Sequence, residues 1–381
     1  MNNRPKLFRM TTHSKTLGLI KGQIGFINRD FDVLLVAKDT GNLEQLAKEE
    51  GVNFKDIEIK REISPLSDIK SLWCLYRFFR KEKPDIIHAN TPKGALLSML
   101  AAKFAGVKHR IYNVNGLRFE TASGKLRKLL IMMEKIACAC ATKVIPQSNG
   151  VKRVLIEERI TRKPLEIIRY GSGNGVDIDF FNPNLETIKE KAVSLNHKEN
   201  LHNKFVFIFI GRIVKDKGVN ELIVAFDRLS KEYDNINLRL LGNYENDLDP
   251  IEENTQQIIL NNPNIIYEGF QKDIRPFLAA SNVLILPSYR EGFPNVVLQA
   301  CAMGLPCIVT NVNGAEDVII NDFNGIVISK KNTEALYLAM KDMIANKAKI
   351  EKLSSNTRSF IEKRFKNTDV WEATLEMYKS L

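Results

Sequence analysis

Long apolar runs are missing from this chain. None reaches the roughly 18 residues needed to cross a bilayer, and the best candidate, LLIMMEKIACACA at Leu129 to Ala141, is broken by Glu134 and Lys135. The opening residues, MNNRPKLFRMTTHSK, hold no apolar stretch of the kind a secretory signal needs, so the chain is expected to stay in the cytoplasm. Cysteine is scarce: there are five, none in a C-x-x-C pair, and all lie in apolar helix-like or strand-like runs. That excludes a zinc knuckle and a disulfide framework, and predicts buried free thiols at Cys74, Cys138, Cys140, Cys301 and Cys307. Low-complexity tracts and short repeats are absent too. No recognition-helix, RNP-type or zinc-finger pattern occurs, so nucleic acid is not an expected partner.

At 381 residues the chain exceeds one ordinary core and fits two domains, each with its own apolar centre and with a cleft between them. Its net charge of +11 is unevenly placed. Residues 1–180 hold 32 Lys and Arg against 19 Asp and Glu, whereas the remainder holds 24 against 26. A basic half of this kind attracts anionic lipid or a phosphorylated substrate. Short apolar strand candidates alternate with helix-period segments, the pattern of parallel sheets covered on both faces. In the first half the strand candidates are 31–37, 85–89, 108–114, 143–147 and 165–168, with helices over 67–83, 94–105 and 126–141. The glycine-rich stretch GSGNGVDIDFFNP after Tyr170 reads as a linker. A second set of strands follows at 204–210, 236–241, 265–267, 283–287, 306–310 and 325–328, and a helix over 368–381 ends the chain.

Two segments carry the chemistry. IFIGRIVKDKG (Ile208 to Gly218) and LILPSYREGFPNVVLQACAMG (Leu284 to Gly304) each run from a buried-type strand through a turn into a helix. In the first, Gly211 permits a tight turn and Arg212 and Lys217 add two fixed cations near a helix start, a combination suited to a diphosphate. In the second, Glu291 and Gln299 suit sugar hydroxyls, and Pro294 sits where the first helical turn tolerates it. Taken alone, Arg212 and Lys217 also read as solvated helix-start residues, and Gln299 as an ordinary helix residue.

Both segments resemble the retaining, two-domain glycosyltransferases of sequence family 4, in which the second segment normally reads Glu, seven residues, Glu; here the second acid is Gln299. The resemblance implies α/β, GT-B architecture: two Rossmann-like domains whose parallel sheets face each other across a cleft. Residues 1–175, with the helix 368–381 crossing back, would take the acceptor, and residues 176–367 a UDP-sugar. It implies that Arg212 and Lys217 stabilise the leaving diphosphate, that Glu291 holds a donor-sugar hydroxyl and that Gln299 holds the ribose. Gly211, Gly292, Phe293, Pro294 and Asn295 then surround the donor, with loop amides on the diphosphate, and Phe270 in Tyr267-Glu268-Gly269-Phe270 lies by the base.

Three D-x-D triplets, Asp30/Asp32, Asp177/Asp179 and Asp247/Asp249, carry the metal-binding mark of the other glycosyltransferase fold. They fall in linkers or loops, and Arg212 with Lys217 already supplies the charge a metal would bring, so neither metal nor cofactor is expected; the UDP-sugar is a substrate.

The first half, with KGQIGFINRDFDV, IIHANTPKGALLSMLAA, RIYNVNGLRFE and the helix containing Glu134-Lys135, is similar to enzymes that build bacterial capsule and O-antigen units. Many members place a His before the Gly where YNVNG has Asn115 and Gly116. Asn115 cannot transfer a proton, but a retaining mechanism in which the departing diphosphate takes the acceptor proton needs no such group. Asn115 then orients a hydroxyl or an N-acetyl group, or else only stabilises its turn. His13, Lys93 and Arg118 come from element boundaries that would face the cleft; singly they read as solvated, and together they fit an acceptor carrying a diphosphate. IKSLWCLYRFFRKEK interleaves aromatics with Lys and Arg, and an anionic membrane surface is a further expected partner. The expected reaction is transfer of a sugar, with an N-acetylamino sugar the first candidate, from a UDP donor to a polyprenyl-diphosphate-linked saccharide at the inner face of the cytoplasmic membrane. A sugar-nucleotide epimerase on the same fold and a catalytically silent sugar-nucleotide-binding partner are the rival readings.

Overall fold

The protein is described from a computed structural model covering residues 4–60, 62–245 and 249–381. It divides into two compact units. The first comprises the described residues up to Gly175 together with Asn367–Leu381, and the second Val176–Lys366.

The first unit holds a six-stranded parallel sheet built from β1 (Lys6–His13), β2 (Asp32–Lys38), β3 (Asn53–Asp56), β4 (Ile86–Ala89), β5 (His109–Val114) and β6 (Lys143–Pro146) in the order β3-β2-β1-β4-β5-β6. Two of these strands have no apolar signature in the sequence. β3, NFKD, is an edge strand exposed along its whole length, so nothing selects apolar residues there. β1 is central, yet its run KLFRMTTH is interrupted by Arg9, which is itself buried. Because successive strand residues face opposite sides, Phe8 and Met10 join one core while Leu7 joins the other, and Arg9 lies on the Leu7 side. Residues 165–168, expected as a strand, contribute only one bridge, Val144 to Leu165. Cys74 is not a buried thiol: it lies on the outer face of the helix Pro65–Glu82, whereas the other four cysteines are buried. The terminal helix Asn367–Lys379 packs on the first unit through Tyr378, whose ring meets Phe31 edge-on at 5.6 Å between centroids.

The second unit repeats the plan with β7 (Phe205–Ile210), β8 (Ile236–Leu241), β9 (Ile265–Gly269), β10 (Val283–Leu286), β11 (Cys307–Thr310) and β12 (Gly325–Ile328), in the order β12-β11-β10-β7-β8-β9. FVFIFI and VLIL are covered on both faces, which is why they read as unbroken apolar runs. In both sheets the chain runs outward on one side and then returns to the middle, between β1 and β4 and between β7 and β10. Loops at the carboxyl ends of these neighbouring strands diverge onto opposite faces and leave a crevice suited to a ligand.

Candidate functional site

At the switch point of the second sheet, β7 and β10 lie side by side, with Phe207 paired to Val283 and Ile208 to Leu284. Their outgoing loops therefore meet. Lys217 ends a 3-10 turn, Lys215–Lys217, and its ammonium donates to Glu291, 74 positions away. Glu291 also accepts from the hydroxyl of Ser288 at 2.7 Å. Both charged groups are largely enclosed, their side chains 18% and 12% exposed, so the pair is shielded from solvent screening. Arg212 is more open and donates to Glu245 at 2.6 Å. Arg290, a cation that sequence reasoning passed over, pairs with Asp216 at 2.9 Å, and the amide of Tyr289 donates to the Asp216 carbonyl at 2.9 Å. Burial and the hydrogen bond to Glu221 push the Tyr289 phenol up, so it stays protonated and buttresses the loop from below.

Glycine holds these loops together, though not where the sequence suggests. Gly211 has no left-handed backbone; the left-handed residue of this turn is Gly218, at φ 69°, and a Cβ there would lie 2.0 Å from the carbonyl oxygen of Pro287. Gly314, at φ 75°, packs in the same way on Gly292, its ideal Cβ 2.4 Å from that carbonyl oxygen. The Glu291 loop is thus pinned from two sides by close backbone approach that only glycine allows.

Beyond the loop, Phe293 is buried and packs on Phe365, and Pro294 precedes the helix Asn295–Ala302. Gln299 sits half-buried on the second turn of that helix, and among the described residues its carboxamide has no hydrogen-bond partner. Phe270 follows β9, whose Tyr267 meets Tyr244 with tilted rings, and is 71% exposed. The structure thus brings Lys217 and Glu291 into contact, places Arg212 and Gly292 on the same two loops with Asn295 at the start of the helix that follows, and leaves Gln299 and Phe270 with free faces.

In two of the acidic triplets an aspartate holds backbone. Asp177 accepts from the amides of Asp179 and Phe180, closing a turn. Asp249 accepts from the amide of Asp216 at 2.7 Å, and Asp247 lies outside the described residues. Asp30 pairs with Lys379, and Asp32 begins β2.

In the first unit His13 and Thr12 end β1, and Thr12 is tied to Thr91 after β4 by two hydrogen bonds, of 3.0 and 2.7 Å. Asn115 accepts from Asn113 at 2.8 Å and, with Gly116, is half-buried just past β5. Arg118 is exposed. Lys93 does not join them: it is only 7% exposed, pairs with Asp68 at 2.6 Å and donates to the carbonyl of Glu62. Its ammonium is directed at the helix Pro65–Glu82, which neutralises it, so it is not a free acceptor-side cation.

The family model described as glycosyl transferases group 1 matches residues 193–360, and the one described as glycosyl transferase 4-like matches residues 19–148. The chain is 34% identical over 377 residues to the capsular polysaccharide biosynthesis glycosyltransferase CapM of Staphylococcus aureus, spanning 98% of this chain and 97% of that one. It is 33% identical over 349 residues to the UDP-Gal:alpha-D-GlcNAc-diphosphoundecaprenol alpha-1,3-galactosyltransferase of Escherichia coli, spanning 89% and 86%. Among solved structures, Anabaena HepE in complex with UDP matches with a TM-score of 0.81 at 19% identity, over 99% of this chain and 100% of that one. Two parallel α/β sheets of this order define the GT-B fold. The chain belongs to the group 1, family 4-like glycosyltransferases that include a capsular polysaccharide enzyme, which sets the epimerase reading aside.

Proposed function

We propose that this enzyme is a retaining, metal-independent glycosyltransferase that moves a sugar from a UDP donor to a polyprenyl-diphosphate-linked saccharide. An N-acetylamino sugar is the first candidate for the donor. The observation that carries the reading is the enclosed contact of Lys217 with Glu291, with Arg212 on the same loop. In this reading a donor diphosphate draws Lys217 and Arg212 away from Glu291 and Glu245, and Glu291 is freed to accept from a sugar hydroxyl. The bond from C1 to the β-phosphate oxygen breaks, C1 bonds to the acceptor oxygen on the same face, and the acceptor proton passes to the departing diphosphate. Charge develops on that diphosphate, so prepositioned cations stabilise the transition state more than the ground state. Gln299 takes the ribose and Phe270 the base, while the ends of β1, β4 and β5 in the first unit, with His13, Asn115, Gly116 and Arg118, meet the acceptor.

The same reading places the enzyme on the inner face of the cytoplasmic membrane. Among the described residues no helix is long and apolar enough to cross a bilayer. The helix Pro65–Glu82 instead exposes Leu66, Ile69 and Trp73 beside Lys70, Arg77 and Arg80, and the helix Gly124–Cys140 exposes Leu126, Leu129 and Met132 beside Lys125, Lys128 and Lys135. Apolar side chains flanked by cations suit an anionic headgroup layer.

One assay tests both parts: sugar transfer from a panel of radiolabelled UDP-sugars to an undecaprenyl-diphosphate-linked acceptor, in excess EDTA, with the acceptor in anionic vesicles or in detergent micelles. Transfer from one UDP-sugar persists in EDTA, and the vesicle rate falls with rising salt more steeply than the micelle rate, because screening shortens the reach of Lys and Arg to the headgroups. Loss in EDTA with rescue by manganese would overturn the metal-independent reading, and equal salt dependence in both formats the membrane one.

A further inference from the structure

The first unit encloses a second polar site, which sugar transfer as derived above does not use. Beneath the carboxyl ends of β1, β4, β5 and β6, a cavity of about 20 Å³ is lined by Arg9, Gln23, His88, Asn90, Asn113 and Gln147 and roofed by the segment around Ser172 and Gly173. That is room for about one sphere of water size. The roof is fastened by hydrogen bonds: the Ser172 amide donates to the Gln147 carbonyl at 3.1 Å, and Gln23 donates to the Gly173 carbonyl at 2.9 Å.

The charge here is unusual. Arg9 is 2% exposed, and among the described residues no carboxylate lies within ion-pair distance of it. Its partners are all neutral: Gln23 at 3.1 Å, Tyr378 at 2.9 Å and Asn90 at 3.4 Å. A buried guanidinium without a counter-charge is costly, and proteins ordinarily supply an anion.

The hydrogen-bond directions sharpen the point. Arg9 can only donate, so the Tyr378 oxygen accepts from it and turns its own proton to Nδ1 of His88. Burial pushes the Tyr378 phenol up, so that proton stays on. Burial, and then the neighbouring Arg9, hold His88 well below the ordinary imidazole range, so the ring is neutral. With Nδ1 accepting, the ring proton is on Nε2. Nε2 of His88 and Nε of Arg9 are both buried, and neither has a hydrogen-bond partner. Two orphaned N–H donors and an uncompensated positive charge therefore belong to side chains that line the cavity, and its remaining polar side chains are carboxamide and hydroxyl.

We propose that this cavity binds a single small anion of the halide class, chloride in the cell, which accepts from Arg9 and His88 and fastens the Tyr378 helix to the first sheet. Water would satisfy the two donors but leave the charge of Arg9 unbalanced.

The test uses the full chain. Crystals soaked in sodium bromide should show an anomalous peak between Arg9 and His88. The thermal midpoint should be about 3 °C or more higher in sodium chloride than in sodium gluconate at an equal ionic strength of about 0.2 M, because an ion that binds only the folded state raises its stability. Arg9→Met should abolish that difference. Should Arg9→Met fail to fold, His88→Leu removes one donor, keeps the charge and should shrink the difference, and the bromide soak of the unaltered chain stands independently. No bromide in the cavity, or equal midpoints in the two salts, would overturn the proposal and make the cavity a water site.

Discussion

Replacing Lys217 or Arg212 by alanine is expected to cut sugar-transfer turnover by about 10²-fold or more while the fold is retained. The magnitude follows from where the charge acts. A diphosphate leaving group gains negative charge as the C1–O bond breaks, and cations already held at the loop ends and paired with it on donor binding stabilise that charge. Before a ligand arrives Lys217 is held at the loop by Glu291, which also accepts from Ser288, so its ammonium has only to exchange that carboxylate for the diphosphate. The two variants differ in a way that can be measured. Arg212 is 40% exposed and its loss leaves only a surface carboxylate, Glu245, without a partner, so stability should barely change. Lys217→Ala leaves Glu291 largely enclosed with Ser288 as its remaining partner, so some loss of thermal stability should accompany the loss of turnover. Initial rates at saturating donor, with circular dichroism to follow the fold, check both; a near-normal rate in either variant would remove that residue from the site.

Gly218→Ala is the second large effect. At φ 69° an alanine is strained in its own right, and its Cβ would lie 2.0 Å from the carbonyl oxygen of Pro287, a separation no real contact tolerates. Either the turn that carries Lys217 or the loop that carries Glu291 must move. The expected result is a loss of about 2 kcal/mol or more of stability with turnover reduced even where the protein remains folded, since displacements near 1 Å are enough to spoil catalytic geometry. Gly211→Ala is the contrast, because Gly211 has ordinary backbone and its ideal Cβ meets only the Phe209 ring, at 3.2 Å. Chemical denaturation and transfer rates on the two variants decide it: equal effects would mean that the left-handed turn is not what ties the loops together.

How much of this could be read beforehand depended on whether a residue's environment leaves a trace in local pattern. FVFIFI and VLILP announce central strands because burial on both faces selects unbroken apolar residues, and the Lys217 and Glu291 segments stand at their ends. The same rule fails for β1, where a structural arginine takes a core position, and for β3, where an edge strand has no buried face. Lys93 was misread for a related reason. Its place near a helix start says nothing of Asp68, which is 25 residues earlier and across the fold. The tight turn was credited to Gly211, the first glycine after the strand, because φ is not visible in a sequence; the close approach of Gly218 to Pro287 is a tertiary fact. Arg290 and Glu245 were missed since their partners are set by strand order, which places the β7, β8 and β10 loops together.

The most direct measurement is a crystal structure of this chain with UDP bound. The diphosphate is expected to lie within about 3 Å of the Lys217 ammonium and the Arg212 guanidinium, as charge-assisted hydrogen bonds require, with Arg212 gone from Glu245 and the ribose diol on Gln299. A UDP whose phosphates lie away from both cations, with the pairs Lys217–Glu291 and Arg212–Glu245 intact, would contradict it.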